Sequence, residues 1–172
     1  MWVKVLPADL TKDVYFKELP DGQSLALHEM SRIVAGYVLR VYTDELRNTF
    51  QSSEFGPRVV MLVNEDGGHH RLPPNKRATK YAPNEYGVEI RGDAILVGES
   101  NAFVEGEDVH IFVSMPEKWK AIYDMETVAA EGGNDYEKVH SKLDDLLLSV
   151  ADPDVRKMYE EIRDQFKNWP TA

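Results

Sequence analysis

The chain contains no cysteine, and this absence excludes several kinds of chemistry. None of the 172 residues can form a disulfide, provide a thiolate ligand to a metal or act as a thiol nucleophile. Proteins without disulfides are typical of a reducing compartment, so we expect an intracellular protein.

Long apolar runs are also missing. No uncharged apolar stretch approaches the roughly 18 residues that a membrane-spanning helix needs. Residues 1–7 lack the basic region and following apolar run of a signal peptide. We therefore expect a protein that has no membrane partner.

Three common catalytic or phosphate-binding motifs are absent as well. The sequence has no Gly-x-Ser-x-Gly elbow, no His-Glu-x-x-His zinc motif and no glycine-rich phosphate loop. His28, Ser31, Ser52 and Asp93 provide reactive residue types, but almost every chain of this length does. We expect no enzyme activity, no catalytic residue and no cofactor.

Positive charge is scarce. The chain has 30 acidic and 20 basic residues and a net charge of −10, of which residues 1–116 and residues 117–172 each carry −5. Such a protein repels phosphate backbones, so direct DNA binding is disfavoured. One interpretation is that the negative charge only keeps the protein soluble. The other is that the protein is an acidic DNA mimic that inhibits a nuclease or another defence protein.

What the chain does have is a substantial apolar content. Hydrophobic residues make up 42% of the sequence, which is enough to bury a core and argues against general disorder. Apolar runs of strand length with β-favouring residues predict six strands. They lie at residues 2–6, 14–19, 37–42, 58–64, 94–98 and 109–113.

One helix is predicted between the second and third strands. Ser24 is a suitable N-cap residue, and Gly36 is well placed to end the helix in the left-handed conformation. Residues 43–57 are polar and read as a loop with room for one helical turn. Asp66-Gly67-Gly68 predicts a hairpin turn, with residues 69–72 as a short return strand.

The pattern changes to a period of 3.6 residues after Pro116. Residues 117–130 and 136–150 predict helices, and Asp152-Pro153 is a typical entry to a third. The fold class we predict is α+β, with a mixed, mostly antiparallel sheet and one packed helix, followed by a C-terminal helical hairpin. The predicted domains are a sheet domain, 1–116, and a helical appendage, 117–172, packed on it.

Residues 25–98 resemble a family of uncharacterised phage and actinobacterial proteins known as DUF3846, a domain of unknown function. The resemblance lies in Ala35-Gly36-Tyr37, the strand that ends Val63-Asn64-Glu65-Asp66-Gly67, the segment 72–78 and Ile90-Arg91-Gly92-Asp93-Ala94. It implies a phage or mobile-element origin and thus the cytoplasm of a bacterial host. It brings no reaction and no site residue. Residues 43–57 read as an insertion, and the C-terminal helices lie outside the resemblance.

The basic loop, residues 67–84, is the leading candidate for a partner-binding surface. It has two histidines and no carboxylate before Asn84, so its local charge is positive in a chain whose net charge is negative. The alternatives are a proline-stiffened connection with solvated charges, or a small enzyme or nucleotide-binding site. The candidate residues in this loop are Arg71, Asn75, Lys76, Arg77 and Lys80.

Two other features of the sequence concern metal binding and partner contact. Adjacent residues of a strand point to opposite faces, so His69 and His70 cannot both bind one metal ion, and we expect no metal site. Phe166 and Trp169 near the C-terminus are large aromatic residues that either pack inside the protein or contact a partner. The C-terminal helices are therefore a possible homodimer interface.

These observations favour a non-enzymatic phage or mobile-element accessory protein that binds a host or phage protein. The acidic DNA mimic is one alternative. The other is a small enzyme or nucleotide-binding protein that uses the basic loop.

Overall fold

A computed structural model describes residues 1–50, 58–82, 89–116, 119–121, 123–124, 127, 136–150 and 153–166. The chain divides into two compact units, residues 1–115 and residues 116–172. The first contains the sheet and the second contains the C-terminal helices.

The first unit is built on a six-stranded sheet in which every pairing between the described strands is antiparallel. The order is β2-β1-β5-β4-β3, and β6 pairs with β5. The strands are β1 (Trp2–Leu6), β2 (Tyr15–Glu18), β3 (Val38–Val41), β4 (Arg58–Asn64), β5 (Ala94–Val104) and β6 (Glu107–Val113). Together with the helices, this confirms the predicted α+β class.

The central strand β4 is buried on both faces, as its uninterrupted apolar run predicted. Val60 and Leu62 belong to the main core. Met61 and Val63 alternate with them and point to the other face, yet they are buried too. A strand with polar residues at every second position could not occupy this place.

Strand β5 is longer than predicted because its two halves have different neighbours. Residues 94–96 pair with β1, residues 95–99 pair with β4, and residues 98–104 pair with β6. The turn to β6 has Glu105 and Gly106 at φ values of 51° and 90°. Two successive positive φ values are typical of the tight turns that match the twist of a hairpin.

Helix α1 (Gln23–Val34) packs on one face of the sheet through Ala26, Met30 and Val34. Its ends differ from the prediction. Gly22, not Ser24, is the N-cap residue, and Ala35 rather than Gly36 takes the left-handed conformation.

Gly36 has a different reason to be glycine. A Cβ atom there would lie 2.5 Å from the Nδ2 atom of Asn64. That amide donates hydrogen bonds to the carbonyls of Val34 and Ala35. The close approach of the chain, and not a positive φ, therefore excludes a side chain at Gly36.

The predicted hairpin after β4 is wrong. Strand β4 already has β3 on one side and β5 on the other, so no edge is left for a return strand. Residues 65–71 instead form consecutive turns, in which the amide of His70 bonds to Asp66 O and the amide of Leu72 bonds to Gly67 O.

Two further helices lie in the connections of the sheet, α2 (Asp44–Phe50) and the short α3 (Lys76–Thr79). Helix α2 contacts β4 and buries Leu46 and Phe50. The Thr43 hydroxyl accepts a hydrogen bond from the amide of Leu46 and donates one to Tyr81 O. The predicted loop 43–57 thus contains a helix of seven residues, and residues 51–57 lie outside the described part.

The second unit contains α4 (Tyr136–Ser149) and α5 (Pro153–Phe166). Pro153 is the first residue of α5, as predicted. The core of the second unit is formed by Ala121, Leu143, Leu147 and Tyr159. Residues 119–121 and 123–124 are helical, whereas much of the helix predicted over 117–130 lies outside the described residues. In the described part of the chain, no helix combines the length and apolarity needed to cross a membrane.

Candidate functional site

A carboxylate that is fully buried lies on the same face of the sheet as α1. Glu99 follows Ile95 and Val97 along β5 at intervals of two residues, so the three side chains share one face. Ile95 and Val97 are core residues, and Glu99 has 0% exposure. A buried ionised carboxylate is costly unless charged partners and hydrogen bonds compensate it.

Two arginines and a tyrosine provide this compensation. The Nε and Nη2 atoms of Arg58 lie 2.9 and 2.7 Å from Glu99 Oε2. Arg40 Nε lies 3.1 Å from Glu99 Oε1. The Tyr42 hydroxyl is 3.1 and 3.2 Å from the two carboxylate oxygens. We call Arg40, Tyr42, Arg58 and Glu99 the arginine cluster.

Both guanidinium groups lie over aromatic rings. Arg58 lies 4.6 Å from the centroid of the Tyr42 ring, and Arg40 lies 4.6 Å from that of Phe112. The side chain of Gln23 fixes the backbone of Phe112 by bonding to both its amide and its carbonyl. The cluster thus joins β3, β4 and β5, and it is supported by Phe112 of β6 and by the start of α1.

The electrostatics of the cluster affect its tyrosine. Burial raises the pKa of Tyr42 above 10.0, and the Glu99 carboxylate raises it further. The two arginines act in the opposite direction on this pKa and do not cancel the effect. Tyr42 therefore stays protonated and keeps its hydrogen on the carboxylate throughout the physiological pH range.

The same face continues along the β5–β6 ribbon beyond Glu99. Asn101 pairs with His110, and Phe103 pairs with Asp108. Since alternate residues of a strand share a face, these four side chains extend the face that carries Glu99. All four are exposed, and Phe103 is 73% exposed.

In the basic loop, Asn75 must be corrected as a candidate contact residue. It is fully buried, and its Nδ2 atom donates to the carbonyls of Leu6 and Gly92. Its Oδ1 atom caps α3 by accepting from the amide of Ala78. Asn75 therefore fixes the shape of the loop and cannot touch a partner in this conformation.

Arg77 also has a structural task. Its guanidinium donates to the carbonyls of Pro7, Asp9 and Leu10, at distances of 3.0 to 3.3 Å. It holds the segment that follows β1 against α3. The prolines predict a loop of fixed shape, and these hydrogen bonds help to hold that shape.

The remaining cations of the loop face solvent. Arg71, Lys76 and Lys80 are exposed, and Arg71 has a φ of 52°. His69 and His70 are exposed as well. Among the described residues, no group of three or more histidines and carboxylates could hold a metal ion. The described part of Phe166 is its backbone at the end of α5, and Trp169 lies outside the described residues.

The arginine cluster was missed by sequence reasoning. Its members are separated by up to 59 positions, from Arg40 to Glu99. Arg40, Tyr42 and Arg58 lay in predicted strands, and Glu99 lay just beyond the predicted strand 94–98. One signal was available: Glu99 comes directly after the apolar run 94–98, at a position that continues the buried face.

Comparison with known proteins gives one match. The profile of DUF3846, described as a domain of unknown function, matches residues 3–115. The chain belongs to the DUF3846 family. No curated protein and no solved structure matches it. The match is wider than the resemblance recognised over residues 25–98, and it spans the region 43–57 that read as an insertion.

Proposed function

We propose that this DUF3846 protein is a non-enzymatic accessory protein of a phage or another mobile element, and that it binds a host or phage protein in the bacterial cytoplasm. The phage origin rests on the resemblance of the sequence. The binding role rests on the chemistry of the surface.

The observation that carries the proposal is the edge strand β3. Among the described strands it pairs with β4 alone, and large apolar side chains on it are exposed. Tyr37, which precedes it, is 78% exposed, and Leu39 is 45% exposed. An edge strand has a row of backbone donors and acceptors that an extended peptide can pair with. Exposed apolar side chains on that edge add area for a partner to bury.

The exposed lysines of the basic loop are a second contact region in this proposal. Lys76 and Lys80 are both solvent-exposed, and neither supports the fold in the way that Asn75 and Arg77 do. Cations in an acidic protein favour an acidic partner surface and raise the rate of association.

The test is affinity purification from the bacterial host, with mass spectrometry of the proteins retained. Leu39→Lys is the informative variant, since it puts a charge on the β3 edge. Leu27→Lys is a matched control, because Leu27 is 42% exposed on α1. We expect Leu39→Lys to release a protein that both the wild type and Leu27→Lys retain. Equal retention by both variants would exclude the β3 edge.

The loop is tested separately with Lys76→Glu/Lys80→Glu, and with Lys157→Glu as a control on α5. Substituting Arg77 would be misleading, because the variant would also lose three hydrogen bonds of the fold. If the double variant binds the partner as tightly as Lys157→Glu does, the loop takes no part in docking.

A homodimer through the C-terminal helices is a further element of the proposal. Leu148 on α4 is 78% exposed, which is unusual for a leucine beside a core. Leu148→Lys should shift the sedimentation of such a dimer to that of a monomer. An unchanged oligomeric state would exclude this part of α4 as the interface.

The acidic DNA mimic is the weaker candidate. It needs a continuous surface of carboxylates, whereas Glu29 pairs with Arg32, Asp44 with Arg47 and Asp144 with Arg163. Interspersed cations of this kind reduce the likeness to a phosphate backbone.

A further inference from the structure

We propose that the arginine cluster and the ribbon face beyond it form a binding site for a nucleoside phosphate. The phosphate would lie at Arg40 and Arg58, and the base would stack on Phe103. This site is distinct from the basic loop and goes beyond the proposed protein-binding role.

The first argument is a surplus of cationic donors. Two guanidinium groups face one carboxylate, so the cluster has a net charge of +1. Arg40 contacts Glu99 through Nε, and Arg58 contacts it through Nε and Nη2. Both Nη groups of Arg40 and the Nη1 group of Arg58 have no acceptor among the described residues. The two side chains are 40% and 32% exposed, so a ligand can reach them.

The second argument is that the donors are already fixed in orientation. The buried carboxylate of Glu99 binds both arginines, and the rings of Phe112 and Tyr42 lie against their guanidinium planes. Arginine recognises phosphate through paired, planar N–H donors. Donors held in position lose less conformational entropy when the ligand binds. Glu99 is a positioning residue in this site and does not touch the ligand.

The third argument is the chemistry of the ribbon. From Glu99 to Phe103 is four residues of strand, about 13 Å. Asn101 and His110 lie between them as a cross-strand pair and provide exposed hydrogen-bonding groups for a sugar. The exposed ring of Phe103 is a platform for a base, and stacking of this kind tolerates any base.

The charges on this face also fix the direction of the ligand. Asp108 pairs with Phe103 across the ribbon, so a carboxylate stands at the far end and repels a phosphate there. The uncharged base suits the Phe103 end, and the phosphate suits the arginine end. Because the arginine end of the site is open to solvent, salt screens its attraction for the phosphate, and binding should weaken as salt is added.

The test is a titration of the full chain with adenosine monophosphate, followed by NMR. We expect shifts of the Arg40 and Arg58 Nε–H signals and of the amides of residues 100–111. Arg40→Gln should weaken binding about tenfold, since it removes charged hydrogen bonds to the phosphate. Phe103→Ala should weaken it at least about fivefold through lost stacking. Arg47→Gln and Leu10→Ala, at exposed positions outside the site, are the matched controls.

Three further probes separate the alternatives: inorganic phosphate, a short oligothymidylate and an acidic peptide. Inorganic phosphate should shift the arginine signals, and Phe103→Ala should not alter its binding. A short oligothymidylate that binds more tightly than the mononucleotide would identify single-stranded nucleic acid as the source of the ligand, and the reverse order would identify a free nucleotide.

The proposal is overturned if adenosine monophosphate and the oligothymidylate both leave these signals unchanged at millimolar concentration. It is also overturned if Phe103→Ala binds them as tightly as the wild type does, or if only an acidic peptide shifts the arginine signals. Phe103 is exposed, so its variant keeps the test valid even if Arg40→Gln disturbs the fold.

Discussion

Arg58 and Glu99 stand directly opposite each other in the register of β4 and β5, and the guanidinium contacts one oxygen of the buried carboxylate through two nitrogens. This pair is the point where the fold and the candidate site meet. The strand register brings the two side chains together, and their ion pair orients the N–H donors of Arg58 that face solvent.

Arg58→Ala should therefore be strongly destabilising. It leaves Glu99 buried with one arginine and a tyrosine, and we expect a loss of about 2–3 kcal/mol, below the full cost for a completely buried pair because Arg58 is partly exposed. Urea denaturation measures this loss. Arg47→Ala breaks the exposed pair with Asp44 and should change stability by less than about 1 kcal/mol. Equal effects of the two variants would contradict the role given to Glu99.

Asn75→Ala should destabilise the sheet unit by about 2–4 kcal/mol. The variant loses the cap of α3 and leaves the carbonyls of Leu6 and Gly92 without their amide donor. Asn48→Ala, at an exposed position of α2, should stay within about 0.5 kcal/mol of the wild type. Thermal and urea unfolding provide the comparison. A tolerated Asn75→Ala would mean that the basic loop does not depend on this amide.

Gly98→Ala should cost about 1–3 kcal/mol through overpacking. A Cβ atom at Gly98 would collide with the backbone carbonyl of Ser114 and would lie 2.8 Å from Val113 Cγ2. Gly68→Ala is the control, because a Cβ atom there meets nothing within 4 Å. The control should be neutral or slightly stabilising, because alanine restricts the unfolded chain. The two unfolding midpoints should move apart, and a common shift would show that β6 can give way at Gly98.

Stability should decline above pH 10. Burial raises the pKa values of Tyr15, Tyr42 and Tyr81 above the unfolded value of 10.0. Between that value and the folded pKa, the unfolded chain releases protons that the folded chain still holds, so rising pH favours unfolding. Tyr42→Phe should reduce this slope, as measured by urea unfolding across the alkaline range. Tyr37→Phe is the control at an exposed position, and a slope unchanged by Tyr42→Phe would contradict the prediction.

Sequence reasoning predicted most elements but not all of their partners. The apolar run of β4 and the Pro153 start of α5 were readable, because each depends on residues that are neighbours in sequence. The return strand after Asp66 was wrong because the turn signal says nothing about whether an edge of β4 is free. Gly36 was placed correctly as a boundary but for the wrong reason, since its constraint comes from Asn64.

The candidate residues of the basic loop also divide into those that the structure leaves exposed and those to which it gives a structural role. Composition identified the basic loop, and its exposed residues Lys76 and Lys80 keep their predicted role as a proposal. Asn75 and Arg77, in contrast, stabilise the loop. The amide of Asn75 is buried, and the guanidinium of Arg77 binds three backbone carbonyls.

The sequence by itself determined the absence of thiol chemistry, the acidic balance, the α+β class and the membership of the DUF3846 family. These follow from composition, from local periodicity and from ordered motifs along the chain. Only the tertiary structure decided that Arg40, Tyr42, Arg58 and Glu99 form one cluster. Its physical cause is strand register: antiparallel pairing brings side chains from β3, β4 and β5 to one face, and no pattern within a single segment records which strands will be neighbours.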